Sequence, residues 1–281
     1  MASPQGSFVT VGDVRTHYHD VGAGPPVVLL HGSGPGVSAW ENWGRVIPRL
    51  ADTHRVIAPD MAGFGLTEGP AGQPLDIKLW VAQLTELLDA LDVGPAVLVG
   101  NSFGGGLSLA TTFRDPSRVR GLVLMGTPFG RFEQTAALHQ GTEYTPSLEN
   151  MRAILGRFPH DPAIVTDEMV RTRYEMSLRH PDNAALRALM PEKPTDGQPV
   201  IVRGAPFERL ATLTQPTLVL HGREDIVIPM EVAVDAARHI PDSELHLFGR
   251  CGHWVQLERP EAFVLLVRDF LARRFPADAP A

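Results

Sequence analysis

The sequence predicts an α/β fold, a mostly parallel sheet flanked by helices and interrupted by a helical insertion. Three observations carry the prediction. Short apolar runs alternate with segments of helical period, as in consecutive βα units. One run, Ala96-Val97-Leu98-Val99, leads through Gly100-Asn101-Ser102-Phe103-Gly104 straight into a helical stretch. Between about Arg131 and Leu210 the alternation stops, and beyond it the rhythm resumes.

Taken in order, Phe8 to Tyr18, with turn residues at Gly12-Asp13, reads as a leading antiparallel hairpin. Three strand-and-helix pairs follow: Pro26 to Leu30 with Trp43 to Leu50, Arg55 to Ala58 with Ile77 to Leu91, and Ala96 to Val99 with Gly104 to Phe113. Gly121 to Met125 is the next strand. In the block that follows, Ser147 to Leu155 and Asp167 to Leu178 have amphipathic helical spacing, and no segment reads as a strand. Strand Pro216 to Leu220, helix Met230 to His239, strand Glu244 to Phe248 and helix Pro260 to Phe275 complete the pattern. The predicted organisation is a core in two parts, residues 1–130 and 211–281, with a helical lid over 131–210. The 27 glycines and 25 prolines fall mostly at turns, which indicates loops and not disorder, and no internal repeat is present.

Bulk properties narrow the function. A chain of 281 residues, 43% hydrophobic, can bury a large core. Its net charge of −7, without a long basic run, argues against a nucleic acid or an anionic membrane as partner. No apolar stretch approaches the roughly 20 residues needed to span a bilayer. A lone cysteine, Cys251, cannot form an internal disulfide, and the first residues do not pair a basic region with an apolar one as a secretory signal does. A cytoplasmic enzyme acting on a small molecule is the expectation. No His/Cys/Asp set has metal-ligand spacing and no phosphate-binding glycine motif follows a strand, so neither metal nor organic cofactor is expected.

The chemistry gathers after the strands. A serine between small residues can occupy a sharp strand-to-helix turn with its Oγ exposed, and the following helix offers free N–H groups where an oxyanion develops. Such a nucleophile needs a base and an acid to orient it. Asp225 follows the strand ending Leu218-Val219-Leu220-His221-Gly222, and His253 follows the one ending Leu247-Phe248. Because ligands bind beyond the carboxyl ends of parallel strands, Ser102, Asp225 and His253 converge on one edge. Other candidates exist among the 11 histidines. His246 lies within a predicted strand, while His31 and His221 lie at strand ends beside glycines; Asp60 and Glu224 compete with Asp225. Asp60 better suits tying down the tight loop Asp60-Met61-Ala62-Gly63-Phe64-Gly65, and Cys251 a small packed position. The oxyanion donors are expected to be the N–H of Phe103 and that of Ser33, in the glycine-rich loop His31-Gly32-Ser33-Gly34-Pro35-Gly36.

With these residues in hand, the chain resembles the α/β-hydrolase superfamily, and His31 to Trp40, the elbow G-N-S-F-G-G and Cys251-Gly252-His253-Trp254 resemble the meta-cleavage product hydrolases. The similarity is closest to the branch acting on 2-hydroxymuconic semialdehyde and 6-alkyl analogues. The resemblance implies an eight-stranded sheet, a homo-oligomer, and hydrolysis of a carbon–carbon bond in 2-hydroxy-6-oxo-hexa-2,4-dienoate-type products of catechol ring opening. It matches Ser102, Asp225 and His253 to the triad. Asn42 and Asn101 match polar residues near the dienoate, Arg173 an insertion arginine contacting its carboxylate and oxo oxygens, and Trp254 a tryptophan at the site. Two stretches depart from the family pattern: Met125-Gly126-Thr127-Pro128-Phe129-Gly130, and Pro191 to Pro206 with its four prolines. The same triad also suits an ester, thioester or lactone, which stands as the alternative.

Overall fold

A computed structural model describes residues 5–141, 143–190 and 198–276; the 191–197 part of the proline-bearing stretch, with Pro194, lies outside the described residues. Strands β1 (Ser7–Val11), β2 (Val14–Val21) and β3 (Pro26–Leu30) lead into short helices α1 (Ala39–Trp43) and α2 (Ile47–Leu50). Then come β4 (Arg55–Pro59), α3 (Ile77–Ala90), β5 (Ala96–Asn101), α4 (Phe103–Arg114) and β6 (Val119–Met125). The insertion holds β7 (Arg131–Glu133), α5 (Ala136–Gly141), α6 (Leu148–Leu155), α7 (Asp167–Ser177), α8 (Ala184–Leu189) and β8 (Ile201–Arg203). The chain ends with α9 (Phe207–Leu210), β9 (Thr217–Gly222), α10 (Met230–His239), β10 (Ser243–Phe248), α11 (Val255–Glu258) and α12 (Pro260–Arg274).

Eight strands form one sheet in the order β1-β2-β4-β3-β5-β6-β9-β10. Only the β1–β2 and β2–β4 pairings are antiparallel; the rest are parallel. The hairpin forms because Gly12, at φ +51°, turns the chain between Val11 and Val14. Central strands are runs of Val and Leu because both of their faces are covered. Alternate side chains sort to opposite layers: Val28, Leu30 and Leu98 pack with Trp80 and Leu84 of α3 and Leu107 of α4, whereas Val27, Leu29, Val97 and Val99 pack with Trp43, Phe263 and Phe270. Burial of each such side chain stabilises by about 1.5–3 kcal/mol. Two continuous apolar layers thus fix the sheet, and the carboxyl ends of β3, β5, β6 and β9 in particular.

Two expectations need correction. The helix expected from Trp43 to Leu50 is instead two, because Ser38 caps the first, accepting the Glu41 N–H at 3.2 Å, and the chain breaks at Gly44. Within the insertion, β7 and β8 pair antiparallel from Arg131↔Arg203 to Glu133↔Ile201, where the sequence predicts no strand. Each strand has only three residues and a partner far along the chain, so neither length nor alternation marks them. The predicted insertion helices are present, capped by Ser147 and Thr166. They enclose a third apolar cluster, including Met151, Leu155, Val170 and Trp254, that seats the insertion on the loop after β10. Among the described residues no helix is long and apolar enough to cross a membrane.

Candidate active site

Ser102 joins β5 to α4 at φ +51°, ψ −111°, a region that a side-chain-bearing residue rarely enters and that costs about 1–3 kcal/mol. Small neighbours make the turn possible. A Cβ on Gly100 would lie 2.3 Å from the Gly104 carbonyl oxygen, and one on Gly104 would lie 2.1 Å from that of Leu30. The Ser102 N–H donates to the Met125 carbonyl at 2.8 Å, which fixes the elbow to the end of β6. Ser102 itself is partly exposed between buried neighbours.

Asp225 and His253 meet at that edge. His253 Nδ1 lies 2.7 Å from Asp225 Oδ2, while Asp225 Oδ1 accepts the N–H groups of Val227 at 2.8 Å and Ile228 at 3.0 Å. Burial opposes ionisation of Asp225, but the charge of His253 and hydrogen bonds from His221 and His253 outweigh it and hold the carboxyl well below the usual range. The loops carrying the pair touch main chain to main chain: a Cβ on Gly222 would lie 2.0 Å from the Gly252 carbonyl oxygen. Glu224 accepts the Cys251 N–H at 3.1 Å, and Glu258 accepts the Gly252 N–H at 2.9 Å. Gly126, next to the residue that holds Ser102, is so near the imidazole that a Cβ there would lie 2.9 Å from His253 Cε1. His253 and Ser102 therefore flank the end of β6. No hydrogen bond joins their side chains among the described residues, a separation that catalytic pairs commonly close only around substrate.

The competing residues are otherwise engaged. His31 Nε2 accepts the Met61 N–H at 3.0 Å, so its Nδ1 carries the hydrogen and donates to the Gly32 carbonyl at 2.7 Å. His221 Nε2 donates to the Ile228 carbonyl at 2.9 Å and lies 3.3 Å from Asp225 Oδ2. Exposed His246 packs on Phe248. Asp60 accepts the N–H groups of Ala39 and Leu66 and pairs with His17. Cys251 is buried, and burial pushes its thiol well up, away from a nucleophilic thiolate.

Around the serine, the β3 loop and the insertion close together. Asn42 Oδ1 accepts the Gly32 N–H at 3.2 Å, bracing the loop that carries Ser33. Asn101 Nδ2 donates to the Met125 carbonyl at 3.3 Å, and its Oδ1 would lie 2.9 Å from a Cβ on Gly32. Phe103 follows the serine as the first residue of α4, at the end where N–H groups have no partner within the helix. Arg173 descends from α7, is only 5% exposed, and brings Nη2 to 3.5 Å from a Cβ position on Gly34. Burial lowers its pKa to about 10, with Glu41 and Tyr144 opposing, so it stays charged at neutral pH. Trp254 stacks on Phe158 at 4.7 Å and lines, with Glu41, Asn42, Arg173 and Gln256, one small cavity of about 10 Å³. The sequence reading missed Gln256, Glu41, Phe158 and the role of Gly126. No local pattern marked them: Gln256 lies between Val255 and Leu257, but a single polar residue in a short turn does not by itself indicate a site.

Comparison with known proteins places the chain in a family. Residues 25–260 match the alpha/beta hydrolase fold family. A 2-hydroxy-6-oxo-2,4-heptadienoate hydrolase from Pseudomonas putida is 47% identical over 95% of this chain and 96% of its own length. A 2-hydroxymuconate semialdehyde hydrolase from a Pseudomonas species is 44% identical over 99% and 97%. Among solved structures, a meta-cleavage product hydrolase from Pseudomonas fluorescens superposes with a TM-score of 0.89 at 42% identity, covering 95% of this chain and 98% of that one.

Proposed function

The chain belongs to the α/β-hydrolase fold family and, within it, to the meta-cleavage product hydrolases, and from that premise we propose that it cleaves the C5–C6 bond of 2-hydroxy-6-oxo-hexa-2,4-dienoate-type ring-fission products. The products are a 2-hydroxypenta-2,4-dienoate and a carboxylic acid. One observation carries the reading furthest: a buried arginine, Arg173, brought from the insertion against the glycine-rich loop. A simple ester needs no such charge; a dienoate does, and a planar guanidinium grips a 2-oxocarboxylate through two N–H groups.

In this reading residues 131–210 act as a lid whose α7 supplies Arg173. Asn42 and Trp254 line the same end and Asn101 supports the elbow beside it. Holding the dienoate there concentrates binding energy away from the scissile bond. A proton is added at C5 and the C2 oxygen becomes a ketone, which supplies the electron sink for cleavage. Ser102 Oγ, losing its proton to His253, attacks the C6 carbonyl, and the N–H groups of Phe103 and Ser33 receive the oxyanion. Collapse breaks C5–C6, releases the dienolate and leaves an acyl-serine. Water activated by His253 then frees the acid.

The test is loss of the yellow dienolate absorbance across substrates bearing hydrogen, methyl, isopropyl or phenyl at C6, beside simple aryl esters. Turnover of the small-substituent dienoates is expected to exceed that of aryl esters in kcat/KM. Efficient ester turnover with no dienoate cleavage overturns the reading.

A further inference from the structure

We propose that Glu258 is a positioning residue that ties the insertion to the loop carrying His253, so that the seating of residues 158–160 sets where the imidazole stands relative to Ser102. The inference rests on His253 serving as the base of Ser102.

The loop from Cys251 to Trp254 has no regular structure and takes its shape from the groups that accept its four N–H donors. Glu224 accepts that of Cys251 at 3.1 Å. Glu258 accepts that of Gly252 through both oxygens, at 2.9 and 3.0 Å, and that of Trp254 at 3.3 Å. The fourth, the N–H of His253 itself, donates to the Phe158 carbonyl at 2.7 Å. The main chain of the base is therefore fastened to the insertion and not to the sheet.

Glu258 closes the link. One turn of α11 brings its carboxylate back over the loop, where Oε2 also accepts the N–H of His160 at 2.8 Å. A single carboxylate thus serves N–H groups of both the insertion and the loop, and its charge strengthens each bond. Between these bonds the two main chains touch directly: a Cβ on Gly252 would lie 2.4 Å from the Phe158 carbonyl oxygen and 2.7 Å from the His160 nitrogen. The Phe158 ring stacks on Trp254 at 4.7 Å and an angle of 9°, and its centroid lies 5.8 Å from that of His253. A shift of residues 158–160 accordingly carries residues 252–254 with it. Because the Ser102 and His253 side chains are not hydrogen-bonded to each other among the described residues, a small movement of the base decides whether the proton passes. Glu258 does not line the cavity shared by Asn42 and Arg173, so its effect falls on kcat and not on binding.

The experiment compares wild type with Glu258→Gln and Phe158→Leu, on 2-hydroxy-6-oxo-hepta-2,4-dienoate and on 4-nitrophenyl acetate. Glutamine has one acceptor oxygen and an NH2 group that cannot face an N–H, so it holds the loop or the insertion but not both. Leucine at 158 keeps an apolar side chain and removes the stack on Trp254. E258Q is expected to lower kcat on the dienoate about 10- to 100-fold with KM within about twofold, and kcat/KM on the ester by a similar factor. F158L should act in the same direction by a smaller factor, and the double variant should lose less than the product of the two, since both open one link. Hydrogen exchange read by mass spectrometry should show peptides 156–161 and 250–255 of E258Q exchanging faster together while the central strands stay as protected as in wild type, a pattern that general loosening does not produce.

Faster exchange in both peptides with kcat unchanged overturns the proposal, as does a raised KM at wild-type kcat. Faster exchange confined to 250–255 makes Glu258 a brace of the loop alone and overturns it too, and so do losses that multiply in the double variant. Where the chain turns over the ester and not the dienoate, the dienoate reading has failed and the ester rates still decide the link. If His253→Ala keeps wild-type turnover of both substrates, His253 is not the base and the proposal falls with that reading.

Discussion

Two buried carboxylate–histidine pairs stand at the same edge of the sheet, Asp60 with His17 and Asp225 with His253, and their chemistry is nearly identical. The Nδ1 to Oδ2 distances are 2.9 and 2.7 Å, and both carboxyls are held below their ordinary range: for each, burial opposes ionisation and is outweighed by histidine and hydrogen bonds. The remaining atoms separate them. Asp60 uses its other contacts to hold Ala39 and Leu66, and the backbone just before β1 closes over His17 Nε2, so that a Cβ on Gly6 would lie 2.3 Å from it. Asp225 spends its second oxygen on its own loop, and its histidine flanks the end of β6 opposite a strained serine. A carboxylate–histidine pair becomes catalytic when the far ring nitrogen of its neutral imidazole has a nucleophile to serve; otherwise it is a staple.

The largest expected effects come from breaking this contrast outright. Ser102→Ala should lower kcat by at least about 10⁴-fold, and Asp225→Asn by about 10⁴-fold because the imidazole loses its orienting partner. Asp60→Asn should leave kcat within roughly tenfold while lowering Tm by roughly 5–15 °C, since it opens a buried network. Rates from dienolate absorbance and melting curves on the same preparations decide the matter. An Asp60→Asn enzyme that melts like wild type but has lost activity as fully as Asp225→Asn erases the distinction.

How much of this was legible in the sequence follows from the same contrast. The proposed triad could be read because each member lies just past an apolar run, and a parallel sheet converts that one-dimensional fact into proximity at an edge. Assigning Asp60 to its loop was likewise possible, from the tight glycine-bearing turn after it. His17 could not be foreseen as its partner, because it lies on an antiparallel strand whose register no local pattern states. The pairing of β7 with β8 escaped for the same reason. Gln256 and Glu41 become site residues only because α1, α7 and α11 meet, and a buried glutamine in sequence resembles any polar residue on a turn. For Arg173 the residue type was visible and the burial was not; its place came from resemblance, and 5% exposure gives it a physical basis.

A smaller effect sharpens what the two pairs share. Each aspartate has a folded pKa below its unfolded value near 3.9, so each contributes stability that is present above that value and lost as pH falls through the folded one. Urea midpoints should therefore decline gently below about pH 6.5, where the unfolded chain protonates histidines such as His31 whose pKa burial lowers in the fold, and fall steeply below about pH 4, where the aspartates add to the loss. Asp60→Asn and Asp225→Asn should each flatten the acid limb. An acid limb as steep in both variants as in wild type removes the common electrostatic origin.

The smallest expected effect concerns the carboxylate adjacent to Asp225. Glu224 faces the other way, drawn to Arg223 and accepting the Cys251 N–H, so it touches the loop that carries His253 and not the imidazole. Its carboxyl lies below the ordinary range mainly through the Arg223 hydrogen bond, on a side chain that water reaches. Glu224→Gln keeps an oxygen able to accept the Cys251 N–H and should leave kcat within about twofold, because an exposed ion pair contributes little. Glu224→Ala removes that acceptor and should lower kcat a few-fold through loosening of the loop, about the scale of one hydrogen bond. The loop, however, has a second hold. Glu258 accepts the N–H groups of Gly252 at 2.9 Å and Trp254 at 3.3 Å, so His253 stays positioned when Glu224 is cut back. Steady-state rates for the two variants, compared with Asp225→Asn, test whether one residue of sequence separates a brace from an acid of the triad. A Glu224→Gln loss approaching that of Asp225→Asn would mean that the imidazole's orientation is set from both sides of the loop.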